Sequence, residues 1–302
     1  MKIRNKVLAV LLTVAMVGVL GGCASSNNNT SGNAAEPTQA ATDTPADTAT
    51  ETPAEGISGT VTITGSTSVE KILNDMIDEF TALNPDVTIN YTGTGSSAGI
   101  ADTASGANDI GASSRNLKDE EKSADIKEVT FAYDGIAVAV NPANPLTDIS
   151  TEDLAKIFSG QVTNWSQIGG KDADIVVVSR EGASGTRSAF EELVKLEDAG
   201  GLTESATVVE GNGNVQTAVA GNENAIGYVS FSYIDTTVKA LTVNGVEGTP
   251  EHSKSGEYVL SRPFLFVYKE ASASAATKAF IEFSLSEDGQ TFVEKHGGIK
   301  VD

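Results

Sequence analysis

The sequence predicts an α/β fold over residues 57–302, and three observations carry that expectation. Short β-like runs alternate with helical patterns. One run, residues 175–178, is apolar throughout, as suits a strand buried on both faces of a parallel sheet. Gly/Ser/Thr loops stand where strand patterns give way to helical ones. Taken in order, residues 61–63 read as a strand. Val69, Ile72, Leu73, Met76, Ile77, Phe80 and Leu83 then recur at spacings of three and four, one face of an amphipathic helix. Asn84-Pro85 stops that helix. Residues 87–91 form the next strand, followed by a weaker helix near 98–104. Residues 136–140 are a short apolar strand. A helix carrying Leu154, Ile157 and Phe158 enters through Ser150, Thr151, Glu152 and Asp153, a capped start. After the 175–178 strand, a helix places Phe190, Leu193 and Val194 inward and Glu191, Glu192 and Lys195 outward. Residues 225–229 and 258–268 read as strands, the second interrupted at Pro263. Phe280, Ile281, Phe283 and Leu285 lie on a helix near the C-terminus, and no internal repeat is evident.

The chain has 302 residues, enough for two ordinary domains or one large one. Its 41 acidic side chains against 20 basic ones give a net charge of −21, which argues against nucleic-acid binding. One cysteine excludes a disulfide framework and a cysteine-built zinc cluster. Two distant histidines, His252 and His296, leave little for a histidine metal site or a histidine-driven hydrolase. No metal or cofactor is expected.

Lys2, Arg4 and Lys6 precede an apolar run of about 14 residues that ends at Leu20, followed by Gly21, Gly22 and Cys23. A membrane-spanning helix needs roughly 20 apolar residues. A secretory signal over residues 1–22 fits better, and Leu20-Gly21-Gly22-Cys23 resembles the bacterial lipoprotein signal, in which Cys23 would be lipidated. Residues 23–56 are Ser, Asn, Thr, Ala, Pro and acids, too polar to offset the entropy of ordering. They are expected to form a flexible tether reaching on the order of 30 Å from the outer face of the cell membrane.

Three loops share one design of strand, Gly/Ser/Thr turn and helix: Gly65-Ser66-Thr67-Ser68, Gly93-Thr94-Gly95-Ser96-Ser97, and Arg180 through Thr186. A helix N-terminus leaves N–H groups unpaired and carries partial positive charge. Glycine admits close backbone approach and hydroxyls add donors, so an oxyanion suits such an end. Each loop alone is also an ordinary helix cap. The run Gly93 to Gly99 is one residue off the dinucleotide fingerprint, and no P-loop GK[ST] occurs. Gly182-Ala183-Ser184-Gly185 is not a nucleophile elbow. Capture of a tetrahedral anion without chemistry is the reading these residues favour. A serine hydrolase using Ser184 is the rival from another class, and an adhesion or signalling role on the same fold is a third.

The strings GSTSVEKI, YTGTGSSAGI, DIGASSRNL, DGIAVAVNPANP, LAKIFSGQVTNWSQIGG, VVVSREGASGTRSAF and NAIGYVSFSY, in this order, resemble the phosphate-binding lipoproteins of bacterial phosphate ABC importers, PstS type, Gram-positive variety. The match runs from about Gly59 to Val301. The resemblance implies a two-lobed periplasmic-binding-protein fold of the second type with a ligand cleft between the lobes. Lobe one would be 57–133 plus 263–302, and lobe two 134–262. It implies inorganic phosphate as ligand, and a membrane permease with its ATPase as partners of a monomer.

By position, the family's ligand loops correspond to Ser66, Thr67 and Ser68; to Ser96, with Ser97 adjacent; and to Arg180, Ser184, Gly185 and Thr186. Arg180 would supply a charge-assisted fork. One position departs. Well-studied members carry an aspartate where Ser114 stands, accepting a hydrogen bond from protonated phosphate. A carboxylate there repels sulfate, which carries no proton, and a serine repels it far less. Ser114 or Asp134, in Tyr133-Asp134-Gly135 at the expected first crossing between lobes, is the candidate acceptor, and Asp134 could equally be a turn or hinge residue. Sulfate, molybdate or tungstate therefore stay open as ligands. Trp165 and Tyr228 are expected in packing roles, Asn164 in a turn, and Asn212 and Asn214 either cap a helix or line the cleft.

Overall fold

The polypeptide builds its sheet around one long strand. The computed structural model describes residues 56–301, which belong to a single compact unit. The expected signal segment, the lipidation site Cys23 and all of the tether but Gly56 lie outside the described residues. In chain order the elements are β1 (Gly59–Gly65), α1 (Glu70–Leu83), β2 (Val87–Gly93), α2 (Ser96–Ser105), β3 (Ile110–Ser113), β4 (Ile126–Val140), β5 (Asp148–Ile149), α3 (Thr151–Phe158), β6 (Val176–Arg180), α4 (Gly185–Leu193), β7 (Thr207–Val209), α5 (Gly211–Ala220), β8 (Ala225–Ser230), β9 (Lys239–Ala240), β10 (Thr242–Val243), α6 (Pro250–Ser255), β11 (Ser261–Lys269), α7 (Ala275–Leu285), α8 (Glu287–Lys295) and β12 (Ile299–Lys300).

The sheet path runs β2-β1-β3-β11-β4-β8-β6-β7, with β12 and β9 also on β4. Within it β1 lies parallel to β2 and β3, and β6 lies parallel to β7 and β8. β4 changes partner midway. Its residues 126–135 pair antiparallel with β11, and Ile136–Val140 pair antiparallel with β8. The change falls at Gly135, where a Cβ would overlap the Phe231 ring, so only glycine lets the strand pass.

Two sets of apolar cores flank that point. Val61, Ile72, Phe80, Phe131, Phe266 and Phe280 belong to one. Val138, Phe158, Trp165, Phe190, Tyr228 and Tyr258 belong to a second, with a smaller cluster around Val215 and Val229 beside it. The result is the two-lobed α/β fold.

Most expected elements form, and the exceptions have physical causes. β4 begins ten residues before the apolar run at 136, because its first half carries Lys127, Glu128 and Tyr133 on a strand only partly buried. Pro263 does not interrupt β11. β3 covers only Leu265–Val267 of that strand, so at Pro263 one edge has no ladder partner and the missing N–H costs nothing there. Leu83, placed on the buried face by spacing, is 61% exposed at the end of α1, where Asn84 caps through its N–H and side-chain amide to the Phe80 carbonyl. Ser150 does cap α3, its Oγ accepting from the Asp153 N–H at 3.0 Å. Among the described residues no helix is long and apolar enough to cross a membrane.

Phe131 and Phe266 stack at 4.1 Å between ring centroids, both fully buried. Phe266→Ala should lower unfolding stability by about 3–5 kcal/mol through lost burial and a cavity, read from the urea midpoint at unchanged slope.

Candidate functional site

The three Gly/Ser/Thr loops meet where β4 crosses between the cores. A one-turn helix, Thr67–Val69, follows β1, and Ser66 caps it by accepting from the Ser68 N–H at 3.2 Å. The Gly95 N–H donates to the Gly65 carbonyl at 2.7 Å, fixing the second loop against the first. Ser184 caps α4 by accepting from the Arg187 N–H, and Gly185 opens that helix. Gly185 sits so near the second loop that a Cβ would lie 2.1 Å from Ser96 Oγ and 2.7 Å from Ser114 Oγ. The Ser114 N–H donates to Ser96 Oγ at 3.0 Å.

Ser66, Ser68, Ser96, Ser114, Ser184 and Thr186 are buried, at most 2% exposed. Such polar density survives burial only if its groups are paired. Ser68 Oγ accepts from Asn212 Nδ2 at 3.1 Å and Arg262 Nη2 at 3.0 Å, which fills both lone pairs. Its own O–H therefore donates to Thr186 Oγ1 at 2.8 Å. That leaves the Thr186 hydroxyl proton free to donate onward. Thr67 Oγ1 repeats the arrangement, accepting from Arg180 Nη2 at 3.2 Å and Asn212 Nδ2 at 3.1 Å. Ser97 is turned elsewhere. Its N–H donates to the Ala183 carbonyl and its Oγ accepts from Arg115 Nη2 at 3.0 Å.

Three guanidiniums are buried here; Arg115 is tied to Glu121 and Ser97, and the other two reach the hydroxyls of the first loop. Arg180, 1% exposed, forks onto Glu181 through Nε at 2.8 Å and Nη2 at 2.7 Å, while its Nη1 is buried with no acceptor. Burial opposes the charge on Glu181, but the hydrogen bonds and positive charge of Arg180 outweigh it and hold the carboxyl below the ordinary range. Arg262, directly opposite Asp134 in the β11–β4 ladder, donates to Asp134 Oδ2 from Nε at 3.1 Å and Nη2 at 2.8 Å. Asp134 Oδ1 accepts from Ser230 Oγ at 2.9 Å. Burial pushes the Asp134 carboxyl up and the Arg262 guanidinium down, and the charge of each partner opposes both shifts.

Arg262 and Asn212 carry much of this geometry and differ in how well the sequence marked them. Asn212 stood open between cap and cleft, and its amide spans Thr67, Ser68 and the Ser230 N–H. Arg262 follows no loop motif; its one signal is a cation beside Pro263 in an otherwise apolar strand. Trp165 and Tyr228 pack in the second core, Tyr228 stacked on Phe190 at 4.2 Å with its hydroxyl pushed by burial to about 12. Asn164 caps a short turn of helix, and Asn214 donates to the Glu210 carbonyl at an exposed position. His252 and His296 contact the Glu247 carbonyl and Asp75, away from Ser184. Among the described residues no His/Cys/Asp/Glu group is arranged to hold a metal.

Two lobes joined at a crossover where buried hydroxyls and guanidiniums from separate loops gather fit a solute-binding protein of the periplasmic type, and a sequence profile of the PBP superfamily domain matches residues 34–288. The chain is 32% identical to the phosphate-binding protein PstS of Bacillus subtilis over 99% of its own length and 95% of the relative's. It is 34% identical to PstS of Borreliella burgdorferi, covering 80% and 90%. Among solved structures it resembles a Clostridium perfringens protein assigned as a phosphate ABC transporter substrate-binding protein, solved with bound phosphate (48% identity, TM-score 0.78, 81% of this chain and 100% of that one). An ABC-type phosphate transport receptor from Vibrio cholerae matches at 37% identity and TM-score 0.69, over 80% and 100%. The chain belongs to the PstS family of phosphate-binding proteins within the PBP superfamily.

Gly185→Val should disrupt the contact of loop three with Ser96 and Ser114, raising the radius of gyration in small-angle scattering and lowering the melting temperature. Because Glu181 titrates below its unfolded value, its contribution to stability is present above about pH 4.3 and is lost as pH falls through the folded pKa. Acid unfolding of Glu181→Gln should lack that component.

Proposed function

We propose that this chain is an extracytoplasmic solute-binding protein that captures inorganic phosphate between its lobes and delivers it to an ABC permease driven by a partner ATPase. The observation that carries the reading is Arg180 Nη1, a buried cationic donor without a protein acceptor, beside hydroxyls whose protons are free to donate. Ser66, Thr67, Ser68, Ser96, Ser114, Arg180, Ser184, Gly185 and Thr186 would line the phosphate, with Ser97 bracing the second loop through Arg115. Ser114 is the better acceptor for the phosphate proton. Asp134 already receives two bonds from Arg262 and one from Ser230, with the Phe231 N–H as a further donor, so its four lone-pair sites are engaged. A hydroxyl in that role discriminates less sharply against sulfate, and sulfate, molybdate or tungstate is the second reading that Ser114 supports.

The moving bodies would be residues 57–133 plus 263–302 and residues 134–262, hinged where β4 changes partner and β11 begins. Anion binding favours the closed form because it adds contacts that exist only there. A micromolar Kd needs about −8.2 kcal/mol. Several charge-assisted hydrogen bonds at about 1.5–3 kcal/mol each can supply it after the cost of closure. No bond is made or broken, and Ser184, occupied as a helix cap and without a histidine near it, fits a ligand rather than a nucleophile. Lipid on Cys23, the first residue once the signal segment is removed, would anchor the monomer to the outer face of the cell membrane.

Calorimetry with phosphate, sulfate and molybdate tests the assignment. Phosphate should bind tightest, and Arg180→Gln should weaken it about 10–100-fold, the worth of one charge-assisted hydrogen bond. Tighter binding of sulfate would transfer the function to the other oxyanions.

A further inference from the structure

Arg262 lies outside all three ligand loops, yet its side chain is 2% exposed and Nη1 is buried with no acceptor. The guanidinium is a rigid planar fork, so the bonds it makes fix the direction of those it does not. Nε and one proton of Nη2 form the edge that faces Asp134 Oδ2. The second proton of Nη2 points off the opposite edge, to Ser68 Oγ at 3.0 Å. Nη1 shares that second edge and therefore presents a proton on the Ser68 side, where Ser68 meets Thr186 and Asn212. Arg262 also senses the positive charge of Arg180. Two like charges gathered in a buried region repel, and an anion between them relieves that repulsion.

The geometry points to Arg262 as a second cationic ligand of the bound anion, donating through Nη1, with Asp134 as the counter-ion that orients it. This rests on the phosphate-capture reading and adds a residue, from the strand that returns between the lobes, to those supplied by the loops. Its consequence for charge is concrete. Glu181 balances Arg180 and Asp134 balances Arg262, so this cluster of side chains is close to neutral by itself. The anion is then held by donors aimed at it rather than by surplus positive charge.

Calorimetry and melting of the full chain with inorganic phosphate, on Arg262→Gln, Arg262→Lys and Asp134→Asn, separate a ligand from a structural clasp. If Arg262 is a ligand, Arg262→Gln weakens phosphate about 10–100-fold and shrinks the phosphate-induced rise in Tm. Asp134→Asn leaves Arg262 its charge but loosens its aim, so it melts lower without phosphate and weakens phosphate binding less than Arg262→Gln does. Arg262→Lys keeps a charge opposite Asp134 without the second edge and weakens binding several-fold; it carries the test if Arg262→Gln does not fold. Equal weakening by Arg262→Gln and Asp134→Asn, or a Kd for Arg262→Gln within twofold of the parent, overturns the assignment while leaving phosphate capture standing. Failure of the parent chain to bind phosphate overturns both.

Discussion

A buried guanidinium must be matched by acceptors fixed in space, and the first loop's hydroxyls are arranged around two such groups, Arg180 and Arg262. Arg180 is held by Glu181, its neighbour in sequence, so its orientation is set locally at the end of β6. Arg262 is held by Asp134 across the β4–β11 ladder, so its orientation is set by strand register. From these cations the bonding spreads outward, through Thr67 from Arg180, through Ser68 from Arg262, and through Asn212 to both hydroxyls. Removing either carboxylate would strand a charge where desolvation is costly. The hydroxyl loops depend on that support for the direction in which each proton points.

The same pairing explains how a strongly acidic chain can bind an anion. The net charge of −21 is spread over the whole sequence, whereas the three loops gather oriented N–H and O–H groups. Short-range donors act in a water-poor space where they are strong, and the acidic exterior is screened by salt. Helix starts at the one-turn segment, α2 and α4 add partial positive charge without adding a formal one.

Much of this was legible in the residues and part was not. The helix over Val69 to Phe80 and the buried run near 176–178 show in spacing and composition, because one face or both must be apolar. The three loops show because the same Gly/Ser/Thr turn recurs three times in one chain, although each alone is also an ordinary helix cap. Arg262 could not be found that way, since its role comes from lying opposite Asp134, 128 positions earlier, and register between distant strands leaves no local mark. The first half of β4 was hidden for a related reason, its Lys127, Glu128 and Tyr133 being tolerated by a partly exposed strand. Pro263 misled because a breaker in sequence is harmless where a neighbouring strand has already ended.

The interleaved order of the chain also governs how it can come into being. The first core draws Val61 and Phe131 from the early segment and Phe266, Phe280 and Val293 from the last, so its apolar surface stays incomplete until the C-terminal helices arrive. A chain delivered N-terminus first, whether from a ribosome or through an export channel, can assemble its middle portion while the beginning waits for the end. The long loop closure this demands slows folding and keeps the early segment pliable for longest. Truncation by even two helices at the tail would therefore unravel the start of the protein and spare the centre.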